Sequence, residues 1–395
     1  MAADSPVIWG IFQMGFPVKG PIRKIAIVCG ELSGDLYAGL LAEELKKLDP
    51  ALDLVGIGGP ALRQAGARIL LSPISGFGFS GVLRQLPAHF RLMKRAARTL
   101  LSEKPDIAVF LDNPGFNLRL APLLGRIPKI YYIPPKIWAH GYSRIQSLRR
   151  HFNAVITIFP FEGSIYRKEG VPARFFGHPV ADLVEKRKDD RDVFAPPGLD
   201  CSQKIIGLFP GSRPTEIRNI LPMLIDAAGI VQKQMPDVQY AVSVAEKSLD
   251  DLVCQIISDN RQKLHVWRKH PYTLARAATL CLCASGTLNL ELALIGRPMV
   301  VFYRMHPVDY ALARRLVKLD FISPVNIICG YSAVPEFVQK FDRDELADTL
   351  VNLIKEPRDQ EKQLLAFSVV RERVGPPGVS RRIARFLLNM DSDVS

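Results

Sequence analysis

The feature that most constrains this fold is an alternation of short apolar runs with stretches of helical periodicity along almost the whole chain. Neighbouring parallel strands need crossover connections, so this alternation is typical of a parallel sheet covered on both faces. The runs predict strands over 24–29, 52–57, 107–111, 129–133 and 154–158, and then over 205–209, 238–242, 280–283 and 299–302. We therefore expect an α/β fold of two Rossmann-like, doubly wound parallel-sheet domains facing a cleft.

A polar, charge-rich and proline-containing segment separates the two halves of this pattern. The predicted organisation is a loosely held N-terminal extension over 1–22, an N-terminal domain over 23–185, a linker over 186–203, a C-terminal domain over 204–375 and a final helix within 376–395. Ligands of open α/β sheets bind beyond the carboxyl ends of the strands. The turns that follow the predicted strands are therefore the places to look for a site.

Composition excludes several other classes of protein. With 395 residues, of which 48% are hydrophobic and 23% charged, the chain is long enough for two domains with separate cores. The six cysteines form no C-x-x-C pair, so we expect reduced core thiols. Residues 1–22 lack the basic start of a signal peptide, and no apolar run is long enough to span a bilayer, so we expect a cytoplasmic protein.

Positive charge is concentrated in one window: no acidic residue lies between Asp53 and Glu103, although the net charge of the whole chain is only +13. Apolar and basic residues are interleaved there, as in segments that lie on a bilayer surface. The predicted membrane-facing residues are Phe77, Phe79, Val82, Leu83, Leu86, Arg91 and Arg95. No recognition-helix or finger pattern stands out, so we expect no nucleic-acid partner. A core helix with a basic outer face is the structural alternative.

The stretch 282–291 is the most informative local pattern, because an apolar strand runs into a small-residue turn that opens a helix carrying one carboxylate. A glycine turn lets backbone N–H groups approach an anion, and the helix dipole adds partial positive charge. Ser285, Gly286 and Thr287 are therefore candidate diphosphate contacts. Glu291, one turn further on, is a candidate acceptor for ribose hydroxyls. The alternative is an ordinary strand-turn-helix with a solvated acid.

A second turn, over 209–216, follows the first strand of the second half and opens a long helix. Ser212 is expected to cap this helix, with Pro214 tolerated in its first turn. A guanidinium beside a helix N-terminus can hold a diphosphate through two parallel bonds and stabilise it as it leaves. Gly211, Ser212 and Arg213 are therefore candidate donor contacts. The alternative is an arginine that pairs with a surface acid.

Turns of the first half carry the candidates for the acceptor side. Asp112 ends an apolar strand, and a carboxylate with restricted solvent at that position is a candidate general base for an attacking alcohol. An Asx-type turn before a helix is the structural alternative. A histidine between glycine and proline, as at 178, is more often a loop-fixing hydrogen bonder than a base. The acceptor or loop candidates are Glu31, Ser33, Asp35, Asn117 and His178.

Several familiar cofactor motifs are missing. The chain has no G-x-x-x-x-G-K-[ST] P-loop. A G-x-G-x-x-A pattern occurs over 56–61, but the acidic residue expected about 20 positions later in a dinucleotide site is absent. No D-x-D follows an apolar strand. We therefore expect neither a metal nor a cofactor.

The short motifs, taken in order, resemble those of the lipid-A-disaccharide synthase family over 24–388. They are G-E-L-S-G-D at 30–35, G-I-G-G-P at 56–60, Y-Y-I-P-P-K-I-W-A at 131–139, F-P-F-E at 159–162, G-H-P-V-A-D at 177–182, P-G-S-R at 210–213, S-G-T-L-N-L-E at 285–291, P-M-V-V at 298–301 and A-R-R-L-V-K at 313–318. Each motif is weak alone, whereas their order is specific.

The resemblance implies an inverting glycosyltransferase of the two-domain GT-B type in lipid A biosynthesis. Such an enzyme joins UDP-2,3-diacylglucosamine to 2,3-diacylglucosamine 1-phosphate and releases UDP. The resemblance also implies peripheral contact with lipid on the cytoplasmic face of the inner membrane, and a final helix that packs back on the N-terminal domain. A homodimer is left open.

Functional residues carry over position by position. Asp112 matches a family aspartate important for activity, and Arg213 matches its important arginine. Glu291 and the turn 285–287 match the nucleotide end, and Asn326 matches the asparagine of a family L-P-N segment, here Pro-Val-Asn. The chain departs from the family at Gly81, Gly115, Pro134 and His140, which affects acceptor-side detail.

Two other functions stay open on sequence alone. One is an epimerase or hydrolase of UDP-N-acetylglucosamine, which shares the two-domain architecture but needs no bilayer surface. The other is a non-catalytic, membrane-associated nucleotide-sugar sensor, which the presence of both Asp112 and Arg213 at turn positions disfavours.

Overall fold

The computed structural model describes residues 20–30, 32–72, 86–188, 198–200, 202–260, 264–268, 270–307, 310 and 319–389. Within them the chain forms one parallel sheet of seven strands and a second of six. Helices connect the strands in both halves, as the alternation of apolar runs and helical patterns predicts.

The N-terminal sheet has the strand order β3-β2-β1-β4-β5-β6-β7. Its strands are β1 (Lys24–Cys29), β2 (Asp53–Ile57), β3 (Arg68–Leu71), β4 (Ile107–Leu111), β5 (Lys129–Tyr132), β6 (Ala154–Thr157) and β7 (Ala173–Phe175). The helices of this half are α1 (Leu32–Leu48), α2 (Pro60–Gln64), α3 (Leu86–Ser102), α4 (Pro114–Leu120), α5 (Arg144–His151), α6 (Glu162–Lys168) and α7 (Val180–Lys186).

The C-terminal sheet has the strand order β10-β9-β8-β11-β12-β13. Its strands are β8 (Ile205–Phe209), β9 (Gln239–Ser243), β10 (His265–Trp267), β11 (Leu280–Ala284), β12 (Met299–Tyr303) and β13 (Glu336–Val338). The helices are α8 (Pro214–Gln234), α9 (Asp250–Asp259), α10 (Pro271–Ala277), α11 (Thr287–Leu294), α12 (Pro324–Cys329), α13 (Arg343–Lys355), α14 (Pro357–Val374) and α15 (Val379–Leu387).

The nine predicted strands are all present, with ends that agree to within one residue. The structure adds four strands that the sequence did not predict, β3, β7, β10 and β13, and these are the four edges of the two sheets. Each has only three or four residues and is incompletely buried, so none forms an apolar run. Central strands such as β4 and β8 are buried at every position.

One cluster of buried apolar residues continues from the N-terminal sheet to the C-terminal sheet through α7, α11, α14 and α15. The final helix α15 packs against α1, and the Phe386 ring lies 5.4 Å from the ring of Phe176 beside β7. The two sheets are therefore joined by a shared core and by the last helix of the chain.

Helix α3 separates its charges from its apolar residues. The buried residues of its described part are Met93, Ala96, Ala97 and Leu100. The exposed basic residues are Arg91, Lys94, Arg95 and Arg98. Phe77, Phe79, Val82 and Leu83 lie outside the described residues, and so does the side chain of Leu86. The described part of α3 thus has an apolar inner face and a basic outer one.

Three further observations concern membrane spans, cysteines and metal ligands. Among the described residues, no helix combines the length and apolar character needed to cross a bilayer. The described cysteines, Cys29, Cys254, Cys281, Cys283 and Cys329, are unpaired thiols. The described ranges hold no group of three or more histidine, cysteine or acidic side chains that could bind a metal ion.

Candidate active site

The carboxyl ends of β1 and β4 lie side by side, because Cys29 pairs with Leu111 in the parallel register. Asp112 follows with φ 50° and Asn113 with φ 40°. Both angles are in the left-handed region, which few residues other than glycine adopt. Backbone strain of this kind concentrates at functional sites, where surrounding bonds hold it in place.

Hydrogen bonds hold the Asp112 backbone in this conformation. The Tyr131 hydroxyl donates to the Asp112 carbonyl at 2.5 Å, and the Asn117 amide donates to the same carbonyl at 2.6 Å and to the preceding one at 3.1 Å. The Asn113 side chain accepts from the Phe116 N–H and caps α4. The Asx-type role is therefore taken by Asn113, and Asn117 fixes the loop from a fully buried position. The half-buried Asp112 side chain remains the candidate base.

Hydrogen bonds of Asp35 connect the two glycine motifs of the first half, G-E-L-S-G-D at 30–35 and G-I-G-G-P at 56–60. Its buried carboxylate accepts the Gly59 N–H at 2.6 Å, the Ala61 N–H at 2.8 Å and the Leu62 N–H at 3.3 Å. A Cβ on Gly59 would lie 2.6 Å from the carboxylate, so only glycine fits there. Asp35 is thus a loop contact. Glu31 lies outside the described residues, as does the side chain of Ser33.

Two other motif acids also bind backbone or indole N–H groups. The fully buried Glu162 of F-P-F-E accepts the Trp138 indole N–H at 2.9 Å and the Phe159 N–H at 3.1 Å. Burial raises the pKa of Glu162, and these bonds oppose that rise. Asp182 of G-H-P-V-A-D accepts N–H groups from Gly378 at 2.6 Å and Ser380 at 2.6 Å. This carboxylate therefore ties the start of α15 to α7.

His178 is buried beside the same crossing point. Its backbone N–H donates to the Val374 carbonyl at 2.8 Å, and its Nδ1 accepts the Val180 N–H at 3.1 Å. Burial lowers the pKa of His178 to about 3, and the nearby Lys136 acts in the same direction. A neutral imidazole whose Nδ1 is already an acceptor fixes a loop, which is the structural role predicted for a histidine between glycine and proline.

Residues 210–213, here called the β8 loop, fold around Glu216, an acid in the first turn of the helix α8 that follows them. The N–H groups of Ser212 and Arg213 donate to Glu216 Oε2 at 3.2 and 3.3 Å, and the Arg213 guanidinium lies 3.2 Å from Glu216 Oε1. Gly211 has φ +108°, and a Cβ there would lie 2.6 Å from the same carboxylate. The anion-binding groups of this loop therefore already face a carboxylate.

The prediction that Ser212 caps α8 is wrong. The N-cap residue is Arg213, Pro214 takes the first helical position, and Glu216 at the third position accepts the N-cap N–H. The fixed φ of proline suits the first helical position, which places the cap one residue later than the serine. The arginine–acid pairing considered as the structural alternative is present between Arg213 and Glu216.

Residues 285–287, here called the β11 loop, are arranged differently. The Ser285 hydroxyl donates to the Ile322 carbonyl at 2.9 Å, and the Gly286 N–H donates to the neutral Asn289 side chain at 3.0 Å. A Cβ on Gly286 would meet nothing within 4 Å among the described residues. Thr287 begins α11. Among the described residues, this helix N-terminus therefore has open space beside Gly286, and its first turn holds no acid.

Glu291 lies on α11 one turn beyond this loop, and only 9% of its surface is exposed. Burial raises its pKa, while the Tyr272 hydroxyl and the Arg187 guanidinium lower it. The alternative of a solvated helix acid is therefore wrong for Glu291. A buried carboxylate beside a helix N-terminus is suited to accept hydrogen bonds from hydroxyl groups of a ligand.

Asn326 is fully buried, and all its side-chain bonds are made within the protein. Its amide nitrogen donates to the Val334 carbonyl at 2.9 Å and to Glu336 at 2.7 Å, and its oxygen accepts the N–H groups of Ala333 and Val334. A direct contact with the nucleotide would require one of these bonds to break. In this conformation Asn326 shapes the loop that precedes β13.

Tyr37 on α1 is buried within the electrostatic reach of acids from both halves of the chain, although no motif pointed to it. Glu291 from the C-terminal half and Asp112 from the N-terminal half both raise its pKa, after burial. Tyr272 and Arg187 surround Glu291 and were also not predicted. The available signal was the position of Tyr37 two residues after Asp35, in the helix that the first glycine turn opens.

Two parallel-sheet α/β domains with a final helix that returns to the first define the GT-B class of fold. The S. aureus MnaA–UDP co-structure aligns with a TM-score of 0.67 and 13% identity, covering 93% of this chain and 98% of that chain. The crystal structure of Acinetobacter baumannii MurG aligns with a TM-score of 0.54 and 16% identity, covering 94% of this chain and all of that one. At these identities the likeness is one of fold.

Sequence relatives then identify the family. Residues 25–377 match the family model described as lipid-A-disaccharide synthetase. A lipid-A-disaccharide synthase of Trichlorobacter lovleyi is 34% identical over 376 residues, covering 94% of this chain and 98% of the relative. One of Anaeromyxobacter dehalogenans is 36% identical over 374 residues, covering 93% and 97%. The chain belongs to the lipid-A-disaccharide synthase family, glycosyltransferases of lipid A biosynthesis, as its motifs predict.

Proposed function

We propose that this chain transfers 2,3-diacylglucosamine from UDP to the 6-hydroxyl of 2,3-diacylglucosamine 1-phosphate, with inversion at the anomeric carbon. The observation that carries the proposal is a pair of turns at strand ends: the strained turn that holds Asp112 after β4, and the β11 loop, which opens α11 with no acid in its first turn. A glycosyl transfer needs a base on the acceptor side and an anion site on the donor side. We assign the base to Asp112, the anion site to the β11 loop, and the contact with the ribose hydroxyls to Glu291.

On the donor side, the β11 loop holds the diphosphate and Glu291 accepts ribose hydroxyls. The open space at Gly286 gives phosphate oxygens room at the start of α11, where the helix dipole is favourable. Arg213 offsets the charge that develops on the leaving diphosphate. Because its guanidinium is largely exposed, it is able to leave Glu216 for a ligand.

On the acceptor side, Asp112 accepts the proton of the 6-hydroxyl as that oxygen attacks. The new bond joins the acceptor oxygen to the anomeric carbon, and the bond from that carbon to the diphosphate breaks with its electron pair leaving on UDP. The bonds from Tyr131 and Asn117 fix the Asp112 backbone, so its carboxylate is held in one place for this step.

The membrane contact belongs to the N-terminal half. We infer that the basic face of α3 lies on anionic lipid at the cytoplasmic side of the inner membrane, where both acylated substrates would be found. The division of the chain into an acceptor domain over 23–185, a linker over 186–203 and a donor domain over 204–375 is part of the same proposal. The homodimer stays a prediction without a structural argument.

The test of the chemical step is Asp112→Asn. We expect turnover of the two acylated substrates to fall on the order of a thousandfold, because the base is lost, while the affinity for UDP is unchanged. Disaccharide formation and UDP binding are measured on the same preparation. Asp348→Asn, an exposed aspartate on α13, serves as the control and should behave as wild type. Near-normal turnover of Asp112→Asn would remove this residue from the role of base.

The test of the membrane contact is the double variant Arg91→Ala and Arg95→Ala. Each basic residue near an anionic surface contributes about 1 kcal/mol, so binding to vesicles that contain anionic lipid should weaken roughly thirtyfold. Arg358→Ala, at the start of α14, is the control. Equal vesicle binding by the double variant and the control would contradict the assignment of this face.

A further inference from the structure

Two tyrosine hydroxyls are buried at the contact between the domains, and neither makes a hydrogen bond of ordinary length and angle among the described residues, although Tyr37 has the Thr287 hydroxyl beside it and Tyr272 has the Glu291 carboxylate beside it. Tyr37 on α1 is 5% exposed, and Tyr272 on α10 is fully buried. A buried hydroxyl without a partner costs free energy, so native structures rarely keep one without a reason. A ligand that enters beside these hydroxyls and bonds to them supplies such a reason.

The surroundings of the Tyr37 hydroxyl point toward the start of α11. After burial, the strongest influence on its pKa is the Glu291 carboxylate, which raises it, and the Thr287 hydroxyl lowers it. Thr287 and Glu291 are four residues apart and therefore share one face of α11. The Tyr37 hydroxyl thus lies against the helix face on which the donor nucleotide is expected.

The position of the Tyr37 ring is fixed from its other side. The His178 ring meets it edge-on, with ring centroids 6.3 Å apart, and α15 packs on the same helix. His178 is itself held by its bonds to Val180 and Val374. The hydroxyl therefore has little freedom to turn toward another partner.

The chemistry beside this hydroxyl selects one part of a nucleotide. A phosphate oxygen only accepts hydrogen bonds, and the buried Glu291 carboxylate would repel it. A ribose hydroxyl both donates and accepts hydrogen bonds. It can therefore donate to the Glu291 carboxylate and accept from the Tyr37 hydroxyl. The Tyr272 hydroxyl lies beside the Glu291 carboxylate, and its pKa is also raised by burial and by Glu291.

We propose that Tyr37 binds the donor nucleotide. Its hydroxyl donates a hydrogen bond to a ribose oxygen of the bound nucleoside diphosphate, and the same ribose donates a hydrogen bond to Glu291. This inference rests on the proposed function and deepens it. Tyr37 belongs to the N-terminal domain and Glu291 to the C-terminal domain. A ribose bonded to both therefore connects the two domains, so occupancy of the donor site favours the arrangement in which Asp112 and the nucleotide face each other.

The test is Tyr37→Phe, which removes the hydroxyl and keeps the ring. Tyr240→Phe on β9 is the matched control, because the Tyr240 hydroxyl is also buried without a partner in the described part of the chain, but burial alone shifts its pKa. Calorimetry should give a roughly fivefold to tenfold rise in Kd for both UDP and UMP with Tyr37→Phe, and no change with Tyr240→Phe. The donor KM should rise with little change in kcat, since the ribose is remote from the reacting atoms.

Thermal unfolding separates ligand binding from a structural role. Without nucleotide, Tyr37→Phe should melt at or above the wild-type temperature, because an unpaired buried hydroxyl is lost. With UDP, its gain in melting temperature should be smaller than that of wild type. A clear loss of stability without nucleotide would make Tyr37 structural and overturn the proposal.

Two binding outcomes also overturn it. Equal Kd values for wild type and Tyr37→Phe would remove Tyr37 from the donor site and leave the proposed function intact. A rise in Kd for UDP but not for UMP would assign the hydroxyl to the terminal phosphate instead of the ribose. Absence of UDP binding by the wild-type chain would instead refute the proposed function, and this inference with it.

Discussion

The β8 loop and the β11 loop stand at equivalent places in one sheet, and yet they are prepared for an anion in opposite ways. Their strands are neighbours, with Phe209 paired to Cys283, and each loop opens a helix. In the β8 loop the N–H groups and the guanidinium face Glu216. In the described part of the chain, the Gly286 N–H of the β11 loop donates to the neutral Asn289 amide, and no atom lies within 4 Å of a Cβ placed on Gly286.

The difference teaches how one domain can divide the binding of a diphosphate between two turns. The β11 loop offers fixed dipoles and room, so it suits a group that is held throughout the reaction. The β8 loop offers the full positive charge of Arg213, which Glu216 compensates until the more highly charged diphosphate binds. We therefore expect the β11 loop to govern affinity and the β8 loop to govern the rate of the chemical step.

The largest effect is expected from Arg213→Ala. Loss of the charge that stabilises the leaving diphosphate should lower kcat about a hundredfold to a thousandfold, with a smaller change in the Kd of UDP. Arg213→Lys should recover only part of the rate, because an ammonium group cannot make two parallel bonds. Steady-state kinetics with Arg218→Ala, an exposed arginine of the same helix, as control would measure this. A change confined to UDP affinity would reverse the assignment of the two loops.

Filling the space of the β11 loop should act on binding. The backbone at Gly286 is extended, so Gly286→Val fits the fold, but its side chain occupies the position expected for phosphate oxygens. We expect UDP affinity and kcat/KM to fall on the order of a hundredfold, with an unchanged melting temperature. Gly286→Ala should give an intermediate loss. Tight UDP binding by the valine variant would place the diphosphate elsewhere.

A smaller effect, in the opposite direction, is expected from Glu216→Gln. Removal of a partly exposed negative charge from the β8 loop should raise UDP affinity by up to about fivefold, because the ligand no longer competes with a carboxylate. Glu345→Gln is the matched control, since Glu345 occupies the third position of α13 as Glu216 does in α8. Unchanged or weaker UDP binding by Glu216→Gln would show that this carboxylate does not compete with the ligand.

The smallest effect concerns stability and pH. The folded pKa of Glu291 is raised above its ordinary value of 4.5 by burial, so the folded chain holds this proton more tightly than the unfolded chain. Its contribution to stability is therefore present at low pH and is lost as pH rises through the folded pKa. Without nucleotide, Glu291→Gln should match wild type at about pH 4 and melt higher at about pH 8. A difference in melting temperature that does not change with pH would contradict a buried, costly carboxylate.

The sequence predicted the centre of each sheet and missed its margins, for a physical reason. Strands such as β4 and β8 are buried on both faces and read as apolar runs, whereas the edge strands β3 and β10 bury too little to leave that pattern. The turns after central strands were therefore also predictable. They include Asp112 and the β11 loop.

Properties that depend on distant partners were not predictable. The order Ser-Arg-Pro indicated a serine cap, but the position of Pro214 and the side chain of Glu216 decide the start of α8. The G-H-P-V-A-D motif gave no sign that Asp182 binds residues near the end of the chain. Tyr37 has no motif of its own, and its position becomes informative only when α1 and α11 are seen together.

The bond between Asp182 and the start of α15 has a consequence for biosynthesis. The carboxylate and the N–H groups it accepts are 196 to 198 residues apart, so the element that completes the first domain leaves the ribosome long after the rest of that domain. Domains tend to fold as they emerge, from the N-terminus onward. The apolar face of α1 that α15 covers therefore lacks this cover until residues 379–387 have been made, and a chain that stops before them would leave that face exposed.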